Sequence, residues 1–229
     1  MEYQNLALPD LSQAVVLSQE LDKNELWRKQ REDKFTSSNV SKLMTYEDKI
    51  EELPKGAITY IEEVAAAILT DGESIEDFRN EDMERGNEKE LEAILRFEQE
   101  MSLTCYATGE NQEFVELCSY FGGTPDGLFN EDGLVEIKCP KSKTHLSYLR
   151  NIKNVQNLKK HKPNYYWQIQ GNLLATGRQN GFFISYDERF KQKDHQILII
   201  KVLRNDEDIV KLEKRLQLAE SYKKELLTT

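Results

Sequence analysis

Apolar residues recur at three- and four-residue steps through the first third of the chain, and that period predicts helices over residues 11–31, 40–44 and 58–69. Ser37 or Ser38 is placed to cap the second helix, and Asp71-Gly72 closes the third. A strongly charged segment, 73–88, leads into a further helix that ends near Glu100, its acids read as a solvated face. The period then falls to two. Residues 103–108, 114–120, 123–128 and 134–139 read as short strands with turn residues between them. Helical stretches follow at 143–158 and 165–176, the second framed by Pro163-Asn164 and Gly177. Strands at 181–186 and 196–203 and an amphipathic helix at 206–227 complete the chain. The order predicts an α/β (α+β) fold, a central mixed β-sheet flanked by helices. With no internal repeat and no Pro/Gly/Ser-rich linker, residues 1–229 are expected to form one domain: a mainly helical part (1–100), a sheet core (101–205) and a C-terminal helix (206–229).

The longest apolar runs, 64–69 and 197–202, are far shorter than the ~20 residues of a membrane span. Met1-Glu2-Tyr3-Gln4-Asn5 has neither the positive nor the apolar region of a secretory signal, so a cytoplasmic location is expected. Cys105, Cys118 and Cys139 are odd in number and lack C-x-x-C spacing, which suggests neither a disulfide framework nor a zinc or iron–sulfur site; they read as buried small hydrophobes. The 41 Asp+Glu outnumber the 31 Lys+Arg, a net charge of −10 that would ordinarily oppose a nucleic-acid partner. The distribution changes that picture. Residues 137–186 contain no acid and nine bases, Lys138, Lys141, Lys143, Arg150, Lys153, Lys159, Lys160, Lys162 and Arg178. Such a block is either a footprint for a polyanion or a solvated face paired with acids elsewhere.

Candidate chemistry centres on Gly123-Thr124-Pro125-Asp126-Gly127 and Val135-Glu136-Ile137-Lys138-Cys139-Pro140. A hairpin turning at Glu131 sets Leu128 opposite Leu134 and Asp126 opposite Glu136. Like charges so placed repel; a divalent cation between them reverses the sign. Alternation puts Val135, Ile137 and Cys139 on one face and Glu136 and Lys138 on the other. Hard oxygen ligands of this kind suit Mg²⁺ or Mn²⁺. Lys138 could orient or deprotonate water or offset phosphate charge. The plainer alternative is a half-buried strand whose polar face meets water. On the helix containing Glu90, the residues Ala93, Ile94 and Phe97 share its side. On the helix from Tyr165, the residues Tyr165, Gln168 and Asn172 form a polar row beside apolar Tyr166, Ile169 and Leu173; an ordinary amphipathic surface helix has the same pattern. Gly171 lies mid-helix at a cost of about 1 kcal/mol, which suggests close approach of another group. His145, His161 and His195 fit no catalytic spacing.

Pro125-Asp126 with Glu136-Ile137-Lys138 matches the PD-(D/E)XK nuclease signature. Further segments occur in order: Leu26-Trp27-Arg28-Lys29-Gln30-Arg31 leading into Phe35-Thr36-Ser37-Ser38, Arg85-Gly86-Asn87-Glu88-Lys89-Glu90, Glu136-Ile137-Lys138-Cys139-Pro140, and Tyr165-Tyr166-Trp167-Gln168-Ile169-Gln170. The ordered set, roughly residues 26–187, resembles the lambda exonuclease and YqaJ-type phage recombination exonucleases. The resemblance implies a restriction-endonuclease-like core and a Mg²⁺-dependent 5′→3′ exodeoxyribonuclease. Such an enzyme digests linear duplex DNA from its ends to mononucleotides and leaves a 3′ overhang for recombination by strand annealing. It further implies two ions, with Mn²⁺ able to substitute, held by Asp126, Glu136 and the Ile137 carbonyl. Lys138 would position the attacking hydroxide, with Glu90 and Gln168 in support. Arg31, Ser38 and Thr124 would hold a terminal 5′-phosphate, and Tyr165 would face DNA. Thr124 replaces a serine of the best-known relative and keeps the hydroxyl. A ring-shaped homotrimer, a single-strand annealing partner and a bacterial host cytoplasm are implied as well. Iron–sulfur relatives do not fit the cysteine pattern. Another PD-(D/E)XK endonuclease and a non-catalytic DNA-binding module are the alternatives.

Overall fold

The structure is a computed structural model that describes residues 29–72 and 81–228, with 81–88 described by their backbone alone. The expected helix 11–31 and charged segment 73–88 thus lie largely outside the described residues. Helix α1 (Lys55–Leu69) precedes α2 (Glu81–Met101). Among the described residues eight strands form two sheets. The smaller joins β1 (Phe35–Thr36), β3 (Val115–Cys118) and β4 (Phe121–Gly123) in the order β1-β4-β3, with β1 parallel to β4. The larger orders β2 (Cys105–Tyr106), β5 (Gly127–Phe129), β6 (Gly133–Lys138), β7 (Asn180–Tyr186) and β8 (Ile197–Leu203) as β2-β5-β6-β7-β8. Only β6 and β7 in it are parallel. Parallel pairing requires a crossover, and α3 (Ser142–Asn151), α4 (Val155–His161) and α5 (Pro163–Thr176) provide it. The C-terminal α6 (Asp206–Leu227) packs on α1. This is the expected mixed sheet flanked by helices.

Alternation along β6 divides the core. Val135, Ile137 and Cys139 pack with Ala93, Ile94 and Phe97 of α2, where Phe97, Phe129 and Phe182 meet with centroids 5.2–6.3 Å apart. Leu134 faces the opposite layer with Ile169 and Leu173 of α5. In α6 the buried Arg215 donates to the carbonyls of Leu43, Tyr46, Lys49 and Ile50, so one guanidinium ties the loop to the C-terminal helix.

Several expectations need correction. Residues 123–128 are not one strand: β4 ends at Gly123 and β5 starts at Gly127 in the other sheet, with Thr124-Pro125-Asp126 at the joint. The stretch 143–158 is two helices, because the Asn154 side chain accepts from the Asn157 N–H and starts α4. Residues 40–44 contain only a 3₁₀ turn at Val40–Lys42, which neither Ser37 nor Ser38 caps. The Ser37 hydroxyl bonds Gly122 O and that of Ser38 meets Thr36 Oγ1. Of the cysteines only Cys139 is buried; Cys105 and Cys118 are half-buried. Helix α5 is no surface helix, since Tyr166, Trp167 and Ile169 through Ala175 are all buried.

Candidate active site

Asp126 and Glu136 are brought together by the β5–β6 hairpin. Leu128 pairs with Leu134 and Gly127 with Val135, and the Asp126 N–H continues the ladder to Val135 O at 3.1 Å. Asp126 therefore stands opposite Glu136, as its spacing predicts. The turn is pinned. Arg178 donates to Asn130 O at 3.2 Å and Gly133 O at 3.0 Å, and Asn180 Nδ2 donates to Asp132 Oδ2 at 2.7 Å. Fixing the turn fixes register, and a one-residue slip would move Glu136 to the other face. The Ile137 N–H donates to Asp126 Oδ2 at 2.6 Å. A strand residue turns its N–H and carbonyl to the same side, so the Ile137 carbonyl projects toward the Asp126 edge.

Glu136 is fully buried. Lys138 Nζ donates to its Oε1 at 2.5 Å and Asn172 Nδ2 to its Oε2 at 3.2 Å. Burial and the neighbouring Asp126 push the Glu136 carboxyl up to about 8, against the pull of Lys138. Burial and Asp126 likewise push Glu90 up to about 8, and burial raises Asp126. For Lys138, burial disfavours the charge, but Glu136 and Asp126 outweigh it and the ammonium is held protonated. Asp126 raises both glutamates, and Glu90 adds to the effect on Glu136, so three carboxyl groups beside a single cation form a site with excess negative charge. Among the described residues no group of three or more His, Cys, Asp and Glu side chains is arranged to hold a metal ion, so a cation here would rest on fewer carboxylates. An oxygen set of a few carboxylates and a backbone carbonyl matches a cation that keeps water and substrate phosphate as its other ligands.

Glu90 enters from α2, on the same side as buried Ala93, Ile94 and Phe97. Its partner is Gln112, whose Nε2 donates to Glu90 Oε1 at 2.6 Å and lies 3.4 Å from Asp126 O. Gln112 carries no motif; it caps the 3₁₀ turn Gly109–Asn111, and only the tertiary fold brings it to Glu90. Asn172 is visible in the sequence as part of a polar row, but not as a partner of Glu136. Tyr165 lies under Lys138, with Nζ 5.5 Å from its ring centroid, and stacks on Phe183 at 5.3 Å. Gln168 lies between Tyr165 and Asn172 on the same row of α5 and is half-buried. Gln170 plays a different part: it is buried and clamps Leu203 O at 2.8 Å and Asn205 N at 3.0 Å. His145 is buried between Ser185 Oγ (2.7 Å) and His195 O (2.9 Å), while His161 and His195 are exposed.

A second group lies one short step away. Arg31 Nη1 donates to Thr124 Oγ1 at 2.8 Å, and Nη2 lies 3.5 Å from Ser38 Oγ. Ser38 Oγ is 3.1 Å from Thr36 Oγ1. Burial lowers the Arg31 pKa to about 10, which leaves the guanidinium charged at neutral pH. Ser38 is exposed and Thr124 half-buried, so three polar groups surround an accessible point. Residues 31, 38 and 124, far apart in sequence, are thus assembled where β1 meets β4.

Residues 26–179 match the YqaJ-like viral recombinase domain. The chain belongs to this family. The match spans both the Arg31 group and the Asp126 hairpin, so the two constellations lie within family sequence. Among solved structures, an alkaline exonuclease (LHK-Exo) from Laribacter hongkongensis is 29% identical, with a TM-score of 0.74 over 89% of this chain and 94% of that one. The same protein has been solved in complex with dAMP, at a TM-score of 0.75. A phage-related exonuclease from Haemophilus somnus 129PT shares the fold at 19% identity, with a TM-score of 0.69 over 85% of this chain and 95% of that one. No curated protein matches the chain by direct sequence comparison. Among the described residues no helix is long and apolar enough to cross a membrane.

Proposed function

We propose that this chain is a metal-dependent DNA exonuclease of the YqaJ-like recombinase family. It acts 5′→3′ on linear duplex ends, releases mononucleotides and leaves a 3′ single-stranded overhang for recombination by annealing. The observation that carries this reading is the step from Thr124 to Asp126, which joins the Arg31 group to the carboxylates. Two residues of extended chain span about 7 Å, the scale of one nucleotide. A 5′-phosphate held by Arg31, Ser38 and Thr124 therefore sets the next phosphodiester against Asp126, Glu136 and Lys138. Arginine's planar fork and two hydroxyls suit a terminal phosphate. Hydrolysis with the 3′-oxygen leaving frees one nucleotide and bares a new 5′-phosphate that fits the same pocket. The complex of the Laribacter neighbour with dAMP supports a nucleotide product.

Exonucleases of this kind generally use divalent metals. Asp126, Glu136 and the Ile137 carbonyl would hold one ion, and Asp126 with Glu90 a second. When bound, Mg²⁺, or Mn²⁺ in its place, lowers the pKa of water and offsets phosphate charge. Lys138 is held charged by Glu136 and Asp126, so it works as a donor that orients the attacking water and offsets charge on the phosphoryl oxygens, and does not remove the proton. Gln168 supports the water, and Tyr165 holds the Lys138 ammonium from below.

The test is digestion of 5′-phosphorylated linear duplex in Mg²⁺. Removing one such donor costs about 10²–10³ in rate, so Lys138→Ala is expected to lose that much. Equal degradation by the variant would remove Lys138 from the mechanism. Label at the 5′ end should be released first, and Arg31→Ala should lose its preference for phosphorylated over hydroxyl ends. Opening of covalently closed circles would favour an endonuclease, and binding without metal-dependent cleavage a DNA-binding module. The resemblance also supports a ring-shaped homotrimer and an annealing-protein partner; a strict monomer in sedimentation would count against the ring.

A further inference from the structure

Asn172 is fully buried, and its Oδ1 has no hydrogen-bond partner among the described residues. An amide oxygen left so loses its water without a replacement, a penalty that helix formation gives no reason to keep. Its Nδ2 meets Glu136 Oε2 at 3.2 Å. Its Oδ1 lies over Gly123, where a Cβ would collide both with that oxygen and with Ser37 Oγ. Gly171 makes room from the helix side, since a Cβ there would lie 2.9 Å from Ser37 Oγ and 3.1 Å from Ser37 Cβ. Two glycines therefore let Ser37 sit against Asn172. Both neighbours of Asn172 run straight into the phosphate group: Ser37 lies between Thr36 and Ser38, and Gly123 precedes Thr124. The Ser37 hydroxyl has only a long contact, 3.4 Å, to Gly122 O.

We propose that Asn172 is a positioning residue that couples the phosphate pocket to Glu136. This rests on the exonuclease reading above. A terminal phosphate draws Ser38 and Thr124 onto itself, Ser37 follows, and its hydroxyl turns from Gly122 O to the free Asn172 Oδ1. The amide, now satisfied at both ends, holds the Glu136 carboxylate in the orientation that receives a cation. The 5′-phosphate then raises kcat as well as tightening binding. A static pocket would act on KM alone.

Two measurements on the intact protein decide this. The first is Mn²⁺ binding by titration calorimetry without DNA. Groups that orient a metal-binding residue are worth about 10- to 100-fold in affinity, so Asn172→Ala should weaken Mn²⁺ by that factor while Ser37→Ala stays near wild type. The second is kcat and KM on matched duplexes ending in 5′-phosphate or 5′-hydroxyl. Wild type should show a higher kcat on phosphate ends. Ser37→Ala, a minimal change to the packing, and Asn172→Ala should both abolish that difference and keep the preference in KM, because Arg31, Ser38 and Thr124 remain. Mn²⁺ affinity within about twofold of wild type in Asn172→Ala overturns the proposal. So does a kcat ratio unchanged in Ser37→Ala, or a wild-type kcat equal on both ends. A wild-type protein that neither binds Mn²⁺ nor digests DNA fails the exonuclease reading itself, a result these variants cannot mimic.

Discussion

Glu136 and Glu90 are placed where water solvates them poorly and where each feels Asp126. Both carboxyls are pushed from an ordinary value of 4.5 up to about 8. A carboxyl whose pKa is higher in the folded state binds its proton more tightly there. The stability this gives is full below the unfolded value and is lost as pH rises through about 8. A divalent cation competes with those protons, so its stabilising effect runs the opposite way. Thermal melts in EDTA should fall in midpoint from about pH 5 to about pH 8 and level off above that, a window that extends well above the titration of ordinary carboxylates. Mn²⁺ should raise the midpoint by an amount that grows across the same window. Glu136→Gln, which has no proton to exchange, should flatten both trends. A midpoint in EDTA that does not fall, or a metal effect that shrinks with pH, would remove these two residues from the cation site.

At the scale of elements, α5 is the part on which the site depends most, and Gly171 tests why. On helix propensity alone, Gly171→Ala should stabilise by about 1 kcal/mol. The added Cβ meets Ser37 Oγ at 2.9 Å and Ser37 Cα at 3.3 Å, and overpacking of this kind costs about 1–3 kcal/mol. The second effect should win: the urea midpoint falls, and the preference for 5′-phosphate ends weakens because Ser37 carries Ser38 with it. A variant stabilised and unchanged in end preference would show that Ser37 yields freely. The sequence foretold a close approach at Gly171 because a glycine inside a helix is a local cost visible in the pattern; it could not name Ser37, which lies 134 positions away. The same distinction runs through the fold. The β6 alternation, the Asp126–Glu136 register and the limits of α6, capped by Asn205, follow from short-range periods and turns. β1 has two residues and no period, and its partner Phe121 is distant in sequence. The break between α3 and α4 is carried by the single side chain of Asn154. Gln112 has no pattern around it at all. What could be read was local, together with what the family resemblance added by assembling Arg31, Ser38 and Thr124.

For the whole molecule, the net charge of −10 conceals a division that the fold turns into a surface. Not every base of the acid-free block is available to DNA. Lys138 belongs to the site, Lys159 pairs with Glu47 at 3.0 Å and Asp208 at 2.9 Å, and Arg178 pins the hairpin. Lys143 and Arg150 are different: both are exposed, and seven positions apart they lie on one side of α3. α3 starts four residues after Lys138, so this row begins close to the site in the chain and runs about 10 Å along the helix. The lysines of α6 face acids instead, Lys214 on Glu51 and Lys224 on Glu220. A side chain that neutralises one phosphate adds about 1 to the slope of log K against log salt, because it releases about one counterion. Lys143→Gln and Arg150→Gln should therefore each reduce that slope by about 1 for a 5′-phosphorylated duplex, measured by anisotropy in EDTA so that no strand is cut. Lys214→Gln and Lys224→Gln should leave it unchanged, since those charges are already compensated and the surrounding acids repel the polyanion. The reverse pattern would move DNA from α3 to α6 and detach the basic block from the active site. The expected pattern would show that an acidic protein confines its substrate to one track by leaving that track free of acid.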